Sequence, residues 1–119
     1  MTFPKEQGVI TLHSAAGADA NGPTIYCDGL ASVGVQVGGT VTNATIYWEG
    51  TIDGTNWVGI LGWNRNSGVK ALTATAAGLF AINVTGLYAF RARLDWTSGS
   101  INVYAKGSSI PITTLVTAS

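Results

Sequence analysis

Residues 44–57, ATIYWEGTIDGTNW, carry the strongest hydrophobic pattern in the chain. Ile46, Trp48, Gly50 and Ile52 fall on one side; Thr45, Tyr47, Glu49 and Thr51 fall on the other. A period of two marks a strand with one buried face. Asp53-Gly54 accepts the backbone angles of a tight turn. Thr55-Asn56 widens it, and Trp57 opens a return strand to about Trp63. A β-hairpin is predicted, with Asp53, Gly54 and Trp57 as its turn residues.

Weaker alternation marks the rest. Strands are predicted at 9–12, at 24–30 around Tyr26 and Cys27, and at 32–38, where Val33, Val35 and Val37 oppose Gly34, Gln36 and Gly38. Gly38-Gly39-Thr40 reads as a break before the hairpin. Further strands fall at 69–75, at 79–84 with Phe80, Ile82 and Val84 on one face, and at 88–96. In the last of these, Phe90, Ala92, Leu94 and Trp96 oppose Arg91, Arg93 and Asp95. Thr97-Ser98-Gly99-Ser100 reads as a turn, and Ile101, Val103 and Ala105 then alternate with Asn102, Tyr104 and Lys106. No segment has a helical period. Eight or nine short strands, with turn signals every 8–12 residues or so, predict an all-β fold. The expected form is an antiparallel β-sandwich, jelly-roll-like, with two packed sheets in one domain over 1–119. Residues 1–7 read as an N-terminal arm and 108–119 as a C-terminal tail, both able to reach a neighbour.

At 119 residues the chain can bury a core without metal or disulfides. Only 10% of residues are charged and the formal net charge is zero. That leaves no electrostatic footprint for nucleic acid or an acidic membrane, and neither is an expected partner. It also leaves little repulsion between copies, so a symmetric homo-oligomer is expected. Residues 1–17 lack a basic start followed by a long apolar run, so no signal peptide is read there. The expected place of action is inside the cell, or outside it after lysis. The single Cys27 cannot form an internal disulfide and reads as a small core residue.

Catalytic and metal-binding sets do not assemble in the sequence. His13, the one histidine, reads as a loop or strand-end residue rather than a ligand. Neither a phosphate-binding G-x-x-x-x-G-K-[ST] nor a nucleophilic G-x-S-x-G occurs. Glu49 and Asp53, the best carboxylate pair, stand about 13 Å apart on an extended strand. Glycosidase pairs stand at roughly 5–9.5 Å. The simpler reading places Asp53 on N–H groups of its own turn, and Glu49 opposite an Arg or Lys across the sheet. No enzymatic activity and no cofactor are expected. Asn43-Ala44-Thr45 and Asn83-Val84-Thr85 match the glycosylation sequon but carry no weight without a secretion signal.

Contact residues are easier to nominate. Arg91 and Arg93 form either a cross-strand paired row or a row that meets a partner's carboxylates. Of the four tryptophans, Trp48 and Trp96 are assigned to the core and Trp57 to a cap at one end of the sandwich. Trp63, beside Arg65, is assigned to the surface, where it meets a partner or stacks on a sugar. Ile112 and Leu115, in the β-prone tail, complete the interface set of Trp63, Arg65, Arg91 and Arg93.

Residues 48–60, WEGTIDGTNWVGI, and 86–107, GLYAFRARLDWTSGSINVYAKG, together resemble a family of small tailed-bacteriophage structural proteins. In that family a strand ending in a DGTNW turn precedes an R-x-R strand, a TSGS turn and a closing strand. The resemblance implies the jelly-roll-like sandwich of head decoration (cement) proteins, fibres and tail modules. The expected function is a capsid decoration protein that stabilises the outer head surface. Its expected partner is the major capsid protein or another virion protein, and its expected location is the virion, assembled in the host cytoplasm. The alternative is a carbohydrate- or receptor-binding module of a tail or fibre, which leaves a glycan ligand open.

Overall fold

The alternating segments do become strands, but two of them are far longer than expected. The computed structural model describes residues 8–112. It contains β1 (Ile10–Ala16), β2 (Ile25–Tyr26), β3 (Ser32–Thr51), β4 (Val58–Gly59), β5 (Gly62–Asn64), β6 (Lys70–Ala71), β7 (Thr73–Ala74), β8 (Gly78–Asn83) and β9 (Ala89–Ser108). Every strand pairing is antiparallel. The all-β antiparallel fold expected from the sequence is what forms. Hydrogen bonds join the nine strands into one sheet ordered β1-β9-β3-β8-β5-β6, with β2 on β9 and β4 and β7 on β3. The strands are therefore not divided between two sheets. β3 and β9, of 20 residues each, run through both halves of the domain.

Gly38-Gly39-Thr40 and Thr97-Ser98-Gly99-Ser100 do not end strands. They lie inside β3 and β9 and meet at Thr40 opposite Ser100, beyond which the pairing loses register between Thr40 and Asn43 and again between Asn43 and Ala44. One extra residue on each strand lets the ladder bend. Each extra residue also changes which parity points inward. Val33, Val35 and Val37 are buried before the irregularity, and Ala44, Ile46 and Trp48 after it. On β9 the buried set passes from Phe90, Ala92 and Leu94 to Ile101, Val103 and Ala105.

The bend defines an upper half, where β1, β8, β5 and β6 flank the pair, and a lower half flanked by β2, β4 and β7. Trp48 of the lower half is fully buried, with its ring centroid 5.2 Å from Phe80 of the upper half and 6.4 Å from Phe90. One apolar cluster thus runs through both halves. Cys27 lies within it as expected, and burial pushes its thiol up to about 11, which keeps it protonated.

Several expectations are corrected. The return strand after the turn shrinks to Val58–Gly59, because the chain then leaves β3 for β8 at Gly62–Asn64. Residues 69–75 give two short strands on different partners, β6 on β5 and β7 on β3. Ile52 is 75% exposed, since the turn has begun there. His13 is buried on β1, where Nε2–H donates to the Ala92 carbonyl at 2.7 Å. Trp96 is half-buried against the core edge and donates its indole N–H to the Gly99 carbonyl at 2.8 Å. β9 continues to Ser108, so any tail starts later than position 108. The arm at 1–7 lies outside the described residues, as does Leu115.

Candidate functional site

The lower half carries the charged cluster. Register places Glu49 opposite Arg91 and Tyr47 opposite Arg93, and alternation turns these four away from the core. Arg91 Nε donates to Glu49 Oε1 at 2.8 Å and Arg93 Nε to Oε2 at 3.0 Å. The Arg91 guanidinium lies 4.2 Å from the Trp57 ring centroid and that of Arg93 lies 4.1 Å from Tyr47. Trp57 therefore covers the outer face of the sheet instead of capping an end. The cross-strand pairing foreseen for Glu49 is present, and it engages both arginines. Burial alone raises the Glu49 carboxyl, but the hydrogen bonds and charges of Arg91 and Arg93 outweigh it and hold it below its ordinary value.

A lowered folded-state value adds stability above the unfolded carboxylate value of about 4.3 and loses it as pH falls through the folded one. Glu49→Gln should cost about 1–2 kcal/mol near neutral pH, the scale of charge-assisted hydrogen bonds on a half-buried face. In thermal melts, the gap between the parent and Glu49→Gln should shrink from about pH 6 toward about pH 3. A gap that stays constant over this range would remove the ion-pair account.

The adjacent turn is held by one carboxylate. Asp53 Oδ1 accepts from Thr55 N–H and Asn56 N–H, each at 2.8 Å, and from the Thr51 hydroxyl at 3.0 Å. Its Oδ2 accepts from Asn56 Nδ2 at 2.7 Å. These bonds, the Asn56 and Thr55 amides first, hold the carboxyl far below its usual range. Gly54 supplies a φ of 81°. This is the turn chemistry read from the sequence, with Asp53 as its centre. Asp53→Ala should speed amide exchange at Thr55 and Asn56 while leaving β8 amides unchanged. Unchanged exchange at the turn would show that the backbone holds itself.

The upper half carries a groove of about 700 Å³ on its outer face. Its floor is Gly34 and Ala81, aligned on adjacent strands. Tyr104 and Lys106 of β9 stand on one side, Leu79 and Arg65 on the other, and Ile110–Pro111–Ile112 pass along it. Ser32 Oγ donates to the Ile110 carbonyl at 2.7 Å and fixes that segment. Arg65 and Ile112, nominated separately from the sequence, meet here. Trp63 does not line the groove; it is half-buried, with Lys70 Nζ 5.0 Å from its ring centroid. Arg91 and Arg93 belong to the other half. The groove was missed because it needs Gly34 and Ala81 side by side, a pairing of strands far apart in sequence. Among the described residues, no group of three or more His, Cys, Asp or Glu could hold a metal ion.

Two solved structures share this architecture. The SPBc2 prophage-derived protein YomS superposes with a TM-score of 0.83 at 15% identity, over 91% of this chain and 96% of that one. The exported protein XepA of PBSX superposes with a TM-score of 0.85 at 19% identity, over 91% of this chain but only 39% of that one. The chain is thus close to the full extent of YomS and about two fifths of XepA. No curated protein matches by sequence. A phage connection was expected from residues 48–60 and 86–107, and YomS is a prophage-derived protein. The matches do not single out those two stretches. The XepA family model covers residues 6–109, nearly the whole domain, and the chain belongs to that family.

Proposed function

We propose that this chain is a phage-encoded structural protein that works by surface contact, without catalysis, as a symmetric homo-oligomer on the virion. The observation that carries this reading is the apolar surface left uncovered on a chain with zero net charge. Val58, Leu61 and Leu72 are each more than half exposed near the β4 and β7 edge, and Tyr26 and Tyr88 are exposed beside the turn. Exposed apolar and aromatic surface of this kind fits protein contact. Repetition in a symmetric assembly makes each small contact effective. Within this reading the specific role we favour is decoration of the outer head surface, against the major capsid protein or another virion protein. Mass spectrometry and imaging of purified phage particles test it: the chain should be present in stoichiometric amounts. Its absence from particles would overturn the virion assignment.

A second reading rests on one relative, since XepA of PBSX is an exported protein. By that analogy the chain would act outside the host cytoplasm rather than on the particle. Fractionation of lysing cultures separates the two. A glycan-binding role has less support: cations sit over Trp57 and Trp63, the rings that would stack on a sugar. A glycan array with Trp63→Ala as control tests it directly.

A further inference from the structure

The lower half carries a cavity of about 340 Å³ beside the Asp53 turn. Three aromatic rings line it, Tyr26, Tyr88 and Trp57, together with one carboxylate, Asp53. Among the described residues, no Lys or Arg lines it. Tyr26 is 59% exposed and Tyr88 51%. Backbone pairing fixes where these rings stand. Tyr26 of β2 is paired with Ala89, the residue after Tyr88, and Tyr88 N–H donates to the Thr51 carbonyl at 2.9 Å. A Cβ on Gly54 would stand 3.2 Å from Tyr88 Cε2, so the turn lies directly against that ring.

The same sheet shows what such groups hold. Arg91 lies over Trp57 and Arg93 over Tyr47, and both donate to Glu49. Guanidinium, ring and carboxylate thus occur together twice. At the cavity the rings and the carboxylate are present, yet among the described residues no cation lies over Tyr26 or Tyr88. The two rings meet edge-on, with centroids 5.5 Å apart at 68°, which covers at most one face of one ring. Asp53 Oδ2 accepts one hydrogen bond, from Asn56 Nδ2, and has a lone pair left for a second donor. We infer that this cavity takes the guanidinium of an arginine from a partner protein, stacked on Tyr26 and Tyr88 and donating to Asp53 Oδ2. A guanidinium suits the site better than an ammonium, since its plane stacks on rings and is more weakly hydrated. The turn bonds keep Asp53 ionised, so its charge is constant near neutral pH. The inference deepens the contact-protein reading and rests on it. Particle localisation tests that reading, and the experiment below tests the cavity alone.

The probe is a five-residue peptide with one central arginine and glycine elsewhere, titrated into the full chain at constant ionic strength and followed by NMR. Versions with lysine or with citrulline, the neutral isostere of arginine, are the controls. The arginine peptide should shift the Tyr26 and Tyr88 ring signals and the Gly54 amide along one saturable curve. The lysine peptide should bind more weakly and the citrulline peptide weaker by about fivefold or more, the scale of one exposed cation–π contact. Tyr26→Leu and Tyr88→Leu should each weaken the arginine peptide to a similar degree with melting retained. Asp53→Asn, which keeps an acceptor for the turn amides, should do the same. Absence of saturable shifts, equal binding of the citrulline or lysine peptide, or binding unaffected by both tyrosine variants would overturn the proposal. A response at these rings to N-acetylglucosamine or to phosphatidylcholine vesicles, with none to the arginine peptide, would also overturn it.

Discussion

Trp48→Ala is expected to lower the unfolding free energy by about 3–5 kcal/mol, the range for a large aromatic removed from a packed core. Small domains are stable by only about 5–15 kcal/mol, so the variant should sit near the edge of folding. The size of the effect follows from position. Trp48 is fully buried and touches Phe80 and Phe90, so its loss opens a cavity between the halves that meet there. Its indole N–H has no hydrogen-bond partner among the described residues, so the loss of the ring takes no buried polar bond with it there. The packing can be isolated with Gly62. A Cβ at Gly62 would run into Trp48 Nε1 and Cδ1, and stand 2.9 Å from Cε2. The ring cannot retreat, because the core encloses it. Gly62→Ala alone should therefore cost about 1–3 kcal/mol by overpacking. In the Trp48→Ala background the same methyl enters empty space, so it should cost nothing or recover part of the loss. Urea unfolding of the two single variants and the double variant gives the coupling. Additive costs would show that Gly62 and Trp48 do not share the space described.

These residues also show what the sequence could reveal. Alternation around Ile46 and Trp48 placed them in the core because a half-buried strand repeats every two residues. The Asp53-Gly54 turn was legible because its hydrogen bonds are local, within a few residues of Asp53. Glu49 pairing across the sheet was expected in kind, but both arginine partners required the register of β3 against β9. The groove over Gly34 and Ala81 was not legible, since it arises from small residues on strands that only the fold makes neighbours. His13 was misplaced because a lone polar residue in a weak strand gives no period; its burial depends on the distant Ala92 carbonyl. The most instructive error concerns length. The inward parity changes once along β3 and once along β9, which reads locally as two strands and a turn. Only the pairing shows that both changes coincide, at one extra residue on each strand.

That bend makes the second large prediction. Gly39 has a φ of 85° and Gly99 a φ of 109°, conformations that an L side chain rarely adopts. Each also faces the other strand at close range. A Cβ on Gly99 would run into the Thr40 carbonyl oxygen and stand 3.1 Å from Thr42 Oγ1. A Cβ on Gly39 would run into the Ser100 carbonyl oxygen. Both obstacles include backbone, so relief requires the ladder itself to shift. Gly99→Ala and Gly39→Ala should each cost about 2–4 kcal/mol, combining strain with displaced pairing. Gly38→Ala is the control: its Cβ meets nothing within 4 Å, it has no positive φ, and its cost should stay under about 0.5 kcal/mol. The double variant Gly39→Ala with Gly99→Ala should cost less than the sum, because one displacement of the bend relieves both sites. If Gly99→Ala unfolds at the same urea concentration as Gly38→Ala, the glycine pair does not hold the bend. In that case the register irregularities between Thr40 and Ala44 would have to be set by the side chains around them.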